Sequence, residues 1–388
     1  MNKKLVAVAV AGMLAAPLAA HAQTANVTLY GILNLNYELI NGKQADGSNP
    51  NVSRVSSNSS RLGVRGVESL GGGLNAIFQI ESGLSADTGG SQAIGAATTT
   101  NRLGSTSNSL AGRDTFAGLQ GSWGTFKIGN FLAPYDSMHP IFGNVPTYTT
   151  SILSTAALWS QGFASTDNGG FDARLGNSLR YDSPVFSGFN GSAQISVRDS
   201  SGVQNQNSGD HAEELRHAYI VSLGGFYNNG PFQGGVAWQH NEKVRGPGID
   251  DDAISVAGAW NFGVIRVAGV YEYLKYQTIG GDLKRNFYGI SGTMPFGPGA
   301  AYAFWGHADS GSGNTAVRVG GLAAGSNTGS NQYELSYTYP LSKRTQVYGG
   351  YVKIANGSNA SYTFNINGYS AAVGAKPGGL VLGMIHLF

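Results

Sequence analysis

The sequence predicts an all-β protein, a sixteen-stranded antiparallel barrel whose strands cross a membrane. Three observations carry this expectation. Apolar and polar residues alternate with a period of two along most of the chain, short turns alternate with long polar loops, and charged residues reach only 12% while aromatics make up 11%. An ordinary soluble domain carries roughly 25% charged residues. Low charge combined with many aromatics also argues against disorder. No run of eighteen apolar residues follows the N-terminal segment, so no helical span is expected. The absence of cysteine excludes disulfides and thiolate metal sites.

The first element is an export leader. Lys3 and Lys4 precede an apolar stretch from Leu5 to Leu18, and Ala20-His21-Ala22 has the small-x-small form of a cleavage site. Residues 1–22 are therefore expected to be removed, leaving 23–388 as a single barrel domain. Losing the two lysines cancels the formal charge of +2, so nothing in the net charge points to nucleic acid.

The strands follow. Leu29, Leu33, Leu35, Tyr37 and Leu39 alternate with Thr28, Asn34, Asn36 and Glu38. The pattern returns with Leu74, Ala76, Phe78 and Ile80 against Asn75, Gln79 and Glu81. It returns again with Ala193, Ile195 and Val197, with Ile254, Val256 and Trp260, and with Tyr333, Leu335, Tyr337 and Tyr339. A period of two marks strands with one apolar and one polar face.

Loop lengths tell more than single strands do. Short turns lie at Ser69–Gly72, Ser122–Gly124, Ser183–Gly188, Asn228–Pro231, Asn261–Gly263, Pro295–Gly299 and Pro340–Arg344. Long polar segments lie near 41–57, 85–110, 132–177, 199–213, 241–251, 275–284, 309–329 and 355–370. Seven turns and eight loops join sixteen strands, the pattern of an outer-membrane barrel. In a soluble sandwich the apolar face is a core; here it faces lipid, and the polar face lines a wet lumen. Tyr37, Trp260, Tyr271, Tyr273 and Tyr339, near strand ends, suit the interfacial girdles.

Several segments carry a family resemblance. They are Ser60-Arg61-Leu62-Gly63-Val64-Arg65-Gly66, Glu68-Ser69-Leu70-Gly71-Gly72-Gly73-Leu74, Ala117-Gly118-Leu119-Gln120-Gly121-Ser122-Trp123-Gly124-Thr125, Tyr181-Asp182-Ser183-Pro184 and Leu341-Ser342-Lys343-Arg344-Thr345. With a terminal Phe388 behind Leu380, Leu382 and Met384, the chain resembles the trimeric sixteen-stranded general porins of Gram-negative outer membranes. The resemblance covers the whole mature chain and departs at Asn130 and Ile385, where the family pattern favours basic residues. It implies a water-filled channel for passive diffusion of small hydrophilic solutes and ions, a homotrimer set in outer-membrane lipid, and no cofactor. It also implies that Phe388 is an assembly signal and that the third loop, 132–177, folds into the lumen and narrows it.

The constriction is where function is expected, because a bare sixteen-strand barrel leaves a wide channel. Strand parity sends Arg61, Arg65, Lys127 and Arg180 to the polar side, since a charge facing mid-membrane lipid costs about 2–4 kcal/mol. Arg174 matches a family arginine of the constriction. Arg113 lies near another, but it shares the parity of Ala117 and Leu119 and would point outward without a bulge. Asp136, Asp167 and Asp172 are the loop's acidic candidates. A basic excess predicts weak anion preference.

Other classes find little support. There is no G-x-S-x-G, Walker, G-x-G-x-x-G or H-E-x-x-H motif, and the histidines lack metal-like spacing. Asp250-Asp251-Asp252 reads as a solvated acidic loop, with a divalent ion as the alternative. A substrate-specific channel, a barrel adhesin and an outer-membrane hydrolase are the competing functions.

Overall fold

The structure is a computed structural model describing residues 26–43, 47–49, 51–88, 110–143, 151–159, 170–197, 218–246, 248–364, 369 and 371–388. The expected leader, 1–22, lies outside the described residues. The strands are β1 (Asn26–Asn41), β2 (Val52–Ser57), β3 (Arg61–Gly71), β4 (Leu74–Gly83), β5 (Thr115–Gly121) and β6 (Gly124–Leu132). They continue as β7 (Arg174–Asp182), β8 (Phe189–Val197), β9 (Tyr219–Asn229), β10 (Phe232–Glu242), β11 (Asp251–Asn261) and β12 (Arg266–Thr278). The last are β13 (Gly281–Phe296), β14 (Gly299–Ala308), β15 (Ser312–Gly313), β16 (Ser330–Pro340), β17 (Thr345–Asn356) and β18 (Gly378–Leu387).

These segments make sixteen barrel staves. β2 and β3 both pair with β1 and form one stave interrupted at residues 58–60. At the break Ser59 takes a φ of 56°, and Ser60 Oγ accepts from Asn34 N and donates to Asn34 O. The side chain thus supplies the ladder bonds that the backbone gives up. β15 is a two-residue addition to β13. All ladders between named strands are antiparallel, and β18 pairs with β1 from Ile32↔Leu387 to Asn41↔Gly378. Phe388 completes the seam, its N–H donating to Gly31 O at 3.1 Å and its C=O accepting from Gly31 N at 3.0 Å. Closure pairs the first and last strands, which lipid demands because an unpaired N–H or C=O has no water to turn to there.

The alternation reads as expected. On β1 Leu33, Tyr37 and Leu39 are exposed on the outer face, while Asn34, Asn36 and Glu38 are buried on the inner one. Tyr37, Trp260, Tyr271 and Tyr339 all stand exposed on the outside. Two expected long loops need correction. Val52–Ser57 of the 41–57 segment is strand, and 275–284 is a tight hairpin in which Thr278 pairs with Gly281. Past the hydrocarbon layer both faces of a strand meet water, so polar residues there continue the ladder and mimic a loop in the sequence.

Candidate pore constriction

The segment between β6 and β7 enters the barrel. Its two ends are joined where Ala133 N donates to Ala173 O. From there a 3₁₀ turn (Asp136–Met138) and a single helical turn (His139–Phe142) run along the inner wall. Each contact is with an inward-facing position. Tyr135 N donates to Ser222 Oγ on β9, and Tyr135 OH donates to Glu272 on β12 at 2.7 Å. Arg266 donates to Ile141 O, and Ser291 on β13 donates to Phe142 O. On the return, Gln332 on β16 donates to Ser154 O, Arg285 on β13 to Leu158 O, and Trp159 Nε1 to Ser255 Oγ on β11.

Apolar packing backs these bonds. The inward positions of β10–β12 include Ala237, Ala253, Ala257, Ala259 and Ala268, which leave room for Met138, Ile141, Phe142 and Trp159, all buried. Phe142 meets Trp159 and Phe304 edge to face at 5.5 and 5.4 Å. At Gly235 a Cβ would stand 2.8 Å from Ile141 Cδ1 and 2.9 Å from Met138 Sδ, so glycine sets how closely the loop approaches. Burying side chains of this size contributes roughly 1.5–3 kcal/mol each.

The opposite wall is basic. Arg61 and Arg65 on β3, Lys127 on β6 and Arg180 on β7 take inward positions, with Lys127 and Arg180 directly opposed in the ladder, and Arg174, at the start of β7 beyond a register shift, is held by Asp114. Arg113 also points inward. The β4–β5 ladder stops at Gln79↔Phe116; beyond it Arg113 N donates to Glu81 O and Thr115 Oγ1 accepts from Glu81 N. That irregularity frees Arg113 from the parity of Ala117 and lets its guanidinium pair with Glu81. Asn130 holds the turn by donating from Nδ2 to Arg113 O at 2.8 Å.

Three carboxylates that the sequence reading did not assign to the site organise this wall. Glu81 pairs with Arg113, lies 3.6 Å from Arg61 and accepts from Tyr30 OH at 2.9 Å. Asp114 holds Arg174 at 2.7 Å. Asp182 holds Arg180 at 2.7 Å and Lys127 at 2.8 Å. Parity carried a signal for two of them, since Glu81 lies two residues past inward Gln79 and Asp182 two past inward Arg180. Arg65 has a ring in place of an acid, its guanidinium carbon 5.2 Å from the Tyr30 centroid. Lys127, besides its pair with Asp182, lies 5.2 Å from the Phe116 ring and 5.4 Å from the Phe131 ring.

The loop aspartates lie elsewhere than expected. Asp136 and Asp172 do not present charge to the lumen; they are buried around His139, which meets Asp172 at 2.7 Å and Asp136 at 3.9 Å. Trp159 covers the imidazole, with ring centroids 4.2 Å apart. Burial alone would lower the His139 pKa, but the adjacent Asp172 and Asp136 raise it to about 9. Burial raises Asp136 to about 7 against the opposing pull of His139. Asp167 lies outside the described residues.

A barrel of sixteen staves, narrowed by an inward loop facing a cluster of arginines, matches a known family. A model of the Gram-negative porins matches residues 7–376. The chain belongs to the Gram-negative porin family. It is 28% identical to outer membrane porin protein 32 of Delftia acidovorans over the full length of both chains. Against the major outer membrane protein P.IB of Neisseria gonorrhoeae it is 27% identical, over 70% of this chain and 68% of that one. The anion-selective porin from Comamonas acidovorans superposes with a TM-score of 0.70 at 25% identity, covering 94% of this chain and 100% of that structure. The protein is thus an outer-membrane porin, a channel and not an enzyme.

Proposed function

We propose that this porin is a general diffusion pore for small hydrophilic solutes with a weak preference for anions. The observation that carries this reading is the charge count on one wall. Among the described residues, six cations (Arg61, Arg65, Arg113, Lys127, Arg174 and Arg180) face three carboxylates (Glu81, Asp114 and Asp182). Of the loop acids, Asp136 and Asp172 are turned onto His139. Local charge governs selectivity because salt screens each charge within about 8 Å at physiological ionic strength. Likeness to a porin described as anion-selective supports the direction.

A KCl gradient across a planar bilayer tests it. The expected reversal potential has the sign of anion preference and grows as salt is lowered; a cation-selective potential would refute it. The same recording bears on assembly. A trimer, which the family resemblance supports, inserts with three equal conductance steps. The leader is expected to end at Ala22, so mass measurement of the purified protein should find Gln23 as the first residue.

A further inference from the structure

The Asp136–His139–Asp172 cluster does more than the channel reading asks of it. Asp136 and His139 lie on the outgoing arm of the loop and Asp172 on the returning arm, and all three are buried. One ligand atom from each lies within 4.8 Å of the others. Independently of that spacing, Asp136 Oδ1 and Asp172 Oδ2 are fully buried and accept no hydrogen bond. A buried carboxylate oxygen without a donor is costly, and native proteins rarely leave one so. Both unmet atoms belong to side chains that converge on the imidazole.

The geometry points to a divalent transition-metal site at Asp136, His139 and Asp172 that staples the two arms of the constriction loop. An imidazole with two carboxylates suits Zn²⁺ and its first-row neighbours, whereas Ca²⁺ and Mg²⁺ take oxygen ligands alone. Ligands at roughly 2.0 Å from a tetrahedral ion stand roughly 3.3 Å apart. The observed 2.7 and 3.9 Å from His139 Nε2 bracket that separation. The ion takes the place of the proton shared between His139 and Asp172, so each ion bound releases a proton to the buffer. The i,i+3 spacing of Asp136 and His139 was visible in the sequence; Asp172, 33 residues beyond His139, was not recognisable as their partner.

The test is a Zn²⁺ titration of chelator-treated full-length protein in detergent, by calorimetry in two buffers of different ionisation enthalpy. The expected result is one ion per chain with proton release. Affinity should fall at least tenfold in both His139→Gln and Asp172→Asn and stay unchanged in His240→Gln, which removes the His240–Asp252 pair on the outer face. Heat-modifiable gel migration confirms that each variant is folded. Co²⁺ bound to the unmutated protein gives a second readout, through the visible absorption of an imidazole-ligated ion of low coordination number. No ion bound by the unmutated protein, binding unchanged in folded His139→Gln, or binding lost in His240→Gln would each overturn the proposal.

Discussion

The two inner walls of this barrel obey the same alternation and put it to opposite uses. On β10–β14 many inward positions are small or apolar, and the loop caps Arg266, Glu272 and Arg285 among them. Arg285 and Glu272 form a pair at 2.9 Å, both fully buried, and Arg285 also donates to Leu158 O. On β3–β7 charged residues gather at inward positions, with Arg61 and Lys127 retaining 26% and 16% side-chain exposure. A buried ion pair organises structure, while a partly solvated cation organises the field that a passing ion meets. The walls differ less in charge content than in which charges remain in contact with water.

Detaching the loop should have the largest effect. Trp159→Ala removes the ring that joins Phe142, His139 and Ser255, a loss of about 3–5 kcal/mol for a buried aromatic. The barrel ladders are untouched, so the protein should still fold and insert, with raised single-channel conductance and noisier current. Unchanged conductance would show that the apolar wall is not what holds the loop.

Matched arginine substitutions sharpen the comparison. Arg113→Gln and Arg285→Gln each remove the cation paired with a buried glutamate, at about 3–5 kcal/mol. The first should move the reversal potential toward cations; the second should loosen the loop and leave the sign of selectivity alone. Equal shifts in selectivity would mean that both walls face the ion path. A smaller, signed pair follows at Asp114 and Arg174. Asp114→Asn should strengthen anion preference and Arg174→Gln should weaken it, read in the same gradient experiment.

The smallest expected effect is a pH dependence of the loop anchor. His139 is raised from 6.5 to about 9 in the folded loop. Its stabilising contribution is therefore complete below pH 6.5 and is lost as pH rises through 9. Asp136, raised from 3.8 to about 7, acts in the same direction, complete below 3.8 and lost as pH rises through 7. Without added metal, open-channel noise should grow from neutral pH to pH 9, and His139→Gln should flatten that rise.

The barrel was legible in the sequence because lipid enforces a period of two, and the same rule placed Arg61, Arg65, Lys127 and Arg180 inside. What escaped the reading obeys other rules. Arg113 turns inward through a ladder break that parity cannot register. Asp114 follows it within that irregular segment, so no alternation marks it as Arg174's partner. Asp136 and Asp172 carry the right charge for a pore-facing loop, but their direction depends on a histidine whose importance appears only when the arms meet. The alanines of β10–β12 acquire meaning as a socket for large loop side chains only with the loop in place.

The seam at Phe388 has a bearing on manufacture. Its backbone bonds Gly31, and its ring lies where a Cβ on Gly31 would collide with it. Phe388 thus docks onto the first strand, and without it the seam loses both backbone bonds and the ring beside Gly31. Deleting Phe388, or enlarging Gly31 to Val, should leave chains stalled in the periplasm, whereas normal surface levels would show that the lock is dispensable. The joint that closes the barrel at this end thus rests on two backbone bonds and one ring.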